Sequence, residues 1–277
     1  MTGAMIRRLA PSRSALVAAG FLGLLAGAAV LAPLLAGFAP SAASAIDLAH
    51  RRGAPSVSHW FGTDELGRDV LTRVLLGARV SLAIGLISAL VSVAVGVVVG
   101  AVAGYAGRWV DDLLMRVTDA MLSVPRLPLL MIAAAVLQPG VPTLIVLVGV
   151  AGWMETARVV RAEVRSISAR DFVQGARAIG ASPYRVVVRH VLPGIIPAAS
   201  VATTLAIGRG ILLESALSFF GVGVQPPTAS WGNMLYQAQT TMTTEPWLAI
   251  FPGAFIFLTV LACNGVGDRI GPAVARR

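Results

Sequence analysis

Six apolar runs follow one another along the chain: Ser14–Ile46, Val80–Gly107, Leu127–Met154, His190–Gly208, Ser215–Thr244 and Pro246–Gly267. A helix that crosses a bilayer needs about 20 apolar residues. In lipid every backbone polar group must find its partner inside the segment, which favours helices. The runs therefore predict an all-α polytopic membrane protein of about six transmembrane helices. We place them near residues 15–36, 80–104, 112–136, 141–161, 195–219 and 246–267. Such a count puts both termini on one face.

Two of the polar intervals have a pattern of their own. From Leu66 to Ala78, the residues Leu66, Val70, Leu71, Val74, Leu75 and Ala78 recur at helical spacing, while Arg68, Asp69, Thr72 and Arg73 take the other side. This predicts an amphipathic helix within 37–79, lying at the membrane interface or packed over the bundle. The interval at 163–194 is basic and cut in its middle by Gly180. Ser168 and Asp171 are placed to start a helix through Phe172, Val173, Ala176 and Ile179. Gly180 supplies a left-handed stop. Gly175 and Ala176 are small enough for another backbone to approach. Ser182-Pro183 then gives an N-cap with proline at the first helical position. A short helix from Tyr184 to about Leu192 is expected to end at Pro193, with Arg185 and Arg189 on one face for a partner's groove. The chain thus divides into a tail and first span (1–36), an outer loop (37–79) and a helical core (80–277).

Composition sharpens this reading. Of 277 residues, 56% are hydrophobic and 13% charged, against roughly 25% charged in ordinary soluble domains. The net charge of +9 does not signal nucleic acid, because the basic residues cluster beside the spans as membrane topology requires. All 22 basic residues are arginine. Without lysine the chain has neither a P-loop of ordinary type nor a Schiff-base nucleophile. Fourteen arginines fall on the side of the termini and of the 158–189 segment, and five (Arg51, Arg52, Arg68, Arg73, Arg79) on the other. The arginine-rich side is expected to be cytoplasmic. Arg7, Arg8 and Arg13 ahead of an apolar stretch, with small residues at Ala43-Ser44-Ala45, imitate a secretory signal. The stretch from Ala15 to about Ala36 is longer than the 7–15 residues of a signal core, so it is read as a retained span. Cys263 is alone and is read as a small hydrophobe.

The residues with chemistry are few. Asp112, Arg116 and Asp119 share one helical face, suited either to an ion pair at a helix entrance or to lining a passage. Arg209 and Glu214 sit deep in a span, where charge must face protein or water. Either one partners another helix or takes part in a passage or its gate. His50, His59 and His190 lack metal-ligand spacing, and neither GxSxG nor HExxH occurs. No catalytic or metal-ligating set is expected. A self-sufficient secondary carrier would want a midplane relay and internal repeats, which the chain does not display.

Three stretches carry a family resemblance. Gln174-Gly175-Ala176, Gly180 and His190-Val191-Leu192-Pro193 resemble the EAA loop of ABC importer permeases. Gln174 stands for the usual Glu, Gly175 for the first Ala and His190 for Ile. FGTDELGRDVLTRVLLGARVSL from Phe61 and LLESALSFFGVGVQPPTASWGNML from Leu212 are similar to the C-type permease subunit of dipeptide/oligopeptide importers, a subunit type shared with nickel importers. The resemblance implies a type I ABC importer permease fold with a cytoplasmic coupling helix, here Ala181 to Arg189. It implies an ATPase-coupling surface of Gln174, Gly175, Ala176, Gly180, Ala181, Ser182, Pro183, Tyr184, Arg185, Arg189, Leu192 and Pro193. The partners implied are a homologous second permease subunit (a heterodimer), two ATP-binding cassette subunits that hold the ATP and Mg, an extracytoplasmic substrate-binding protein and membrane lipid. This chain itself would bind no cofactor. A multi-pass protein of a bacterial inner membrane, with both termini cytoplasmic, is expected. Di- or oligopeptides are the expected substrates, with nickel, haem or another small solute as alternatives. Glu214, Arg209, Asp119 and Arg116 are the expected pathway or gate residues.

Overall fold

A computed structural model describes residues 13–34, 45–138 and 140–274, nearly all of them helical. Arg7, Arg8, Ala43, Ser44, Arg276 and Arg277, which entered the charge and signal readings, lie outside those residues. The helices are α1 (Arg13–Leu31), α2 (Val70–Tyr105), α3 (Arg108–Ser123), α4 (Arg126–Val136), α5 (Val141–Val150), α6 (Trp153–Ser168), α7 (Asp171–Ala178), α8 (Pro183–Val186), α9 (Leu192–Phe219), α10 (Trp231–Ala238) and α11 (Trp247–Val274). Five segments are long and apolar enough to cross a membrane: Ser14–Leu34, Val70–Tyr105, Val141–Ser168, Pro183–Phe219 and Trp247–Arg269. The pair α3 and α4 makes a sixth if counted as one span, in keeping with the six placed spans, although the apolar run Ser215–Thr244 holds the end of α9 and the short α10 and no span of its own.

Three local expectations are corrected. The span placed at 112–136 is not straight, for α3 and α4 meet at 82°. Val124, held extended by the proline that follows it, and Pro125 form the corner. The amphipathic helix at 66–78 is not a separate interfacial element. Leu66 and Arg68 belong to a turn, and from Val70 the chain is already the first turns of the 36-residue α2. Its apolar stripe, Val70, Val74 and Ala78, faces Trp231 in the protein core. Pro193 does not end the short helix after Gly180. A π-helical segment, Val187–Val191, joins α8 to α9, and the wider turn accommodates a residue that lacks an N–H.

The centre of the bundle is α2, which is mostly apolar but buries Arg73, Ser81, Ser88 and Ser92, and it packs most closely on α6 and α9. Small residues permit that closeness. A Cβ on Gly96 would lie 2.6 Å from the Thr156 side chain, and one on Gly100 2.5 Å from the Ala157 carbonyl. With Gly104 these positions repeat every fourth residue, the spacing that lets membrane helices touch backbone to backbone.

At the end where α2 begins, the turn Asp64–Arg68 builds a lid. Asp64 accepts from the backbone of Leu66 (2.9 Å) and Arg68 (3.0 Å) and from the Arg68 guanidinium (2.7 Å). Asp69 caps α2 through the Thr72 N–H at 2.8 Å. Arg68 and Arg73 both reach Gln237 of α10. At the other end, Val160, Val164, Ile167, Val173, Val186, Val191 and Ile195 form a separate buried core beneath the loop that carries Gly180.

Candidate functional site

The loop after α6 folds as a knuckle of two short helices about Gly180. Gly180 has φ +87°, a left-handed backbone that an L side chain adopts only at a cost. The Gly180 N–H donates to Arg177 O (3.0 Å) and the Ala181 N–H to Ala176 O (3.0 Å), the paired bonds of a Schellman stop. Ser182 then accepts from the Arg185 N–H at 3.4 Å, with Pro183 at the first helical position. Both features follow the sequence reading. Ser168, by contrast, does not cap α7. It ends α6, and its hydroxyl is buried with no hydrogen-bond partner among the described residues. Gln174 links the two helices instead, its Nε2 donating to Ser168 O at 2.8 Å. An ionised Glu at this position could not donate that bond.

Of the expected stripe on α7, only Val173 is buried. Phe172 is 53% exposed, Ile179 87% and Tyr184 78%. Gly175 and Gly180 face open space. Arg185 and Arg189 are exposed, and Arg177 stacks over the Tyr105 ring at 5.0 Å. Leu192 and Ala181 pack partly buried against the core beneath. The knuckle thus presents large apolar side chains and bare backbone outward, ringed by cations, on a firm base.

Two polar constellations lie within the helical bundle. In the first, Glu214 of α9 is fully buried. It accepts from Ser81 of α2 at 2.9 Å and Ser218 at 2.8 Å. Ser81 also accepts the Trp231 N–H (3.2 Å), and Ser218 accepts the Val224 N–H (3.0 Å). A capping box between Ser230 and Asn233 starts α10 there. Glu214 therefore ties α2, α9 and α10 together and does not line an open passage.

The second is a charged seam. Arg209 and Arg126 both pair with Glu155, the latter at 3.0 Å. Farther along, Asp119 pairs with Arg158 at 2.5 Å, and Arg161 and Arg165 converge on Asp111. Asp112 and Arg116 are exposed and make no ion pair with each other, so the expected entrance pair is replaced by the neighbouring acid. Asp111, Met115 and Thr118 form the buried stripe of α3, and the same i, i+4, i+7 spacing would have found it. Beside the seam, a groove of about 620 Å³ runs between the α3–α4 corner and α5–α6, lined mostly by apolar side chains with Arg126 and Glu155 at its edge. No group of three or more metal-binding side chains occurs among the described residues.

Residues 96–277 match the family described as binding-protein-dependent transport system inner membrane component. The chain belongs to this family. It is 39% identical over 268 residues, covering 97% of this chain and 88% of the other, to the glutathione transport system permease protein GsiD of Escherichia coli O6:K15:H31 (strain 536 / UPEC). It is 40% identical over the same length to the GsiD of Shigella dysenteriae serotype 1 (strain Sd197). Among solved structures, an inward-facing MetNI methionine ABC transporter has the same fold. It shows a TM-score of 0.62 at 21% identity and covers 74% of this chain and 97% of that one. The chain is thus a permease subunit of an ABC importer, of the type I fold, in a bacterial inner membrane. ATPase and binding-protein partners follow from that membership, and permease subunits of this kind are not themselves enzymes.

Proposed function

We propose that this permease forms one half of a translocation path for di- or oligopeptides, paired with a homologous second permease subunit, and that its knuckle is driven by two ATP-binding cassette subunits. The observation that carries the coupling role is the exposed Ile179–Tyr184 elbow, set on a buried core and continuous through the π segment with the spanning helix α9. A push on the knuckle is transmitted to α9 because the backbone is helical without a break from Pro183 to Phe219. Gln174, Gly175, Ala176, Gly180, Ala181, Ser182, Pro183, Tyr184, Arg185 and Arg189 form the surface offered to the cassette. Leu192 and Pro193 form the joint to the membrane. ATP and Mg belong to the cassettes, and this chain holds no cofactor. The arginine-rich knuckle side is cytoplasmic, with both termini. An extracytoplasmic binding protein delivers the solute to the opposite, lidded end.

Membrane-depth charge cannot face lipid without large cost. The half-exposed seam of Arg126, Glu155 and Arg209 therefore marks the side turned toward the second subunit and the path. Of the expected path residues, Arg209 lies in that seam, Asp119 lies farther along it, Arg116 is exposed nearby, and Glu214 is buried within the chain. The substrate class is supported by the GsiD relatives, which are glutathione transport system permease proteins.

Three measurements test this. Cysteine placed at Tyr184, in the assembled complex, is expected to cross-link to a cassette subunit. Capture of the cassette from the lidded end instead would sink the orientation. Gly180→Val is expected to cut ATP-driven uptake at least about tenfold while the complex still assembles, since a β-branched residue is strained at φ +87°. Competition by peptides, against nickel chelates and haem, settles the solute.

A further inference from the structure

The seam holds one more cation than anion at its deepest point. Arg126 and Arg209 share the single carboxylate of Glu155. No other acid pairs with either arginine among the described residues. Beside the two guanidiniums is a cavity of about 20 Å³, where Ser88, Ser92, Gly152 and Gly210 share the lining with apolar side chains. That is room for one oxygen-sized group, such as a single oxygen of a carboxylate. Ser92 is 3% exposed, and its hydroxyl has no hydrogen-bond partner among the described residues. Gly152 keeps the cavity open, for a Cβ there would stand 2.6 Å from the Ser92 oxygen. Both arginines remain partly accessible, with side-chain exposures of 23% and 40%.

From this we infer that Arg126 and Arg209, with the Ser92 hydroxyl, form a carboxylate-binding step inside the path, used by solutes that carry a free terminal carboxylate. This rests on the importer reading above. A guanidinium pair matches a carboxylate in both charge and fork geometry. Glu155 supplies the counter-charge in the solute's absence, so the arginines are never left bare at membrane depth. An arriving carboxylate competes with Glu155 for the same donors, which limits its grip. A passage needs that weakness, because a site that binds too firmly does not release.

The test uses the whole complex in proteoliposomes, with ATP and the binding protein. The probes are tri-alanine and its C-terminal amide, each at a concentration that saturates the binding protein, so that the binding protein's own preference drops out. Arg209→Gln is expected to lower tri-alanine uptake about tenfold more than uptake of the amide, the scale of one charge-assisted contact. Arg126→Gln should move the ratio in the same direction. Glu155→Gln, which removes the internal competitor, should move it the opposite way and lower the half-saturating concentration of tri-alanine. Equal losses for both peptides overturn the inference, as does a Glu155→Gln shift in the same direction as Arg209→Gln. ATP-dependent import of neither peptide by the unaltered complex overturns the peptide-importer reading itself. Import of both, with a ratio that no variant changes, overturns only the carboxylate step.

Discussion

Glu214 and Glu155 are both carboxylates on spanning segments, and the bundle treats them in opposite ways. Glu214 is sealed, its oxygens met by two serine hydroxyls that in turn accept backbone N–H groups of α10 and the loop before it. Glu155 is partly open, and two arginines compete for it. The sealed site is complete within one chain and ties three elements together. The open site carries surplus charge on a face that lipid cannot cover. Depth in the membrane alone therefore does not mark a functional charge. What separates the two is whether the group's partners are exhausted inside the fold.

The contrast is broken most directly at the sealed site. Glu214→Ala leaves a cavity and strips Ser81 and Ser218 of a shared acceptor. The expected loss is about 3 kcal/mol from cavity and unpaired hydroxyls together, read as lowered thermal stability and yield of the purified complex. If that complex proved as stable as the parent, Glu214 would not be the tie described above. Glu155→Ala is the matching change at the open site. Water or a partner can reach the released arginines there, so a smaller loss of about 1 kcal/mol is expected. Its main effect should fall on transport. A stability loss equal to that of Glu214→Ala would erase the distinction between the two sites.

The sequence shows these sites unequally. The elbow at Gly180 was readable in full, because its stop, cap and proline are set by residues within a few positions of one another. Most of the spans were legible for the same reason, since length and hydrophobicity are local properties, but the run Ser215–Thr244 is no span. What failed depended on distant partners. Ser81 and Glu214 are 133 positions apart, and nothing in either neighbourhood announces the other. Asp111 shares a helical face with Met115 and Thr118, but its partners Arg161 and Arg165 lie 50 and 54 positions away. The 82° corner between α3 and α4 falls at Val124-Pro125, where the restriction that proline puts on the residue before it is local, but a proline alone does not set the angle. The motif around Leu212 signalled the family before its physics was visible. In the structure its Glu, Ser, Trp and Asn are the parts of the sealed tie.

Smaller changes sharpen the comparison. Ser81→Ala removes one hydrogen bond to Glu214 and the acceptor for the Trp231 N–H, while Ser218 remains. About 1 kcal/mol of stability should be lost, visible as a lower melting temperature with uptake per folded complex retained. The least effect is expected at the outer reach of the seam. Asp119 and Arg158 are 2.5 Å apart, but their side chains are 59% and 51% exposed. Both are free to exchange this pairing for water, and salt screens what attraction is left. Asp119→Asn should therefore change stability by no more than about 0.5 kcal/mol, and its effect on melting should vanish in high salt. A larger, salt-insensitive loss would show that the assembled complex buries this end of the seam, which would move the boundary between open and sealed charge outward from Glu155 to Asp119.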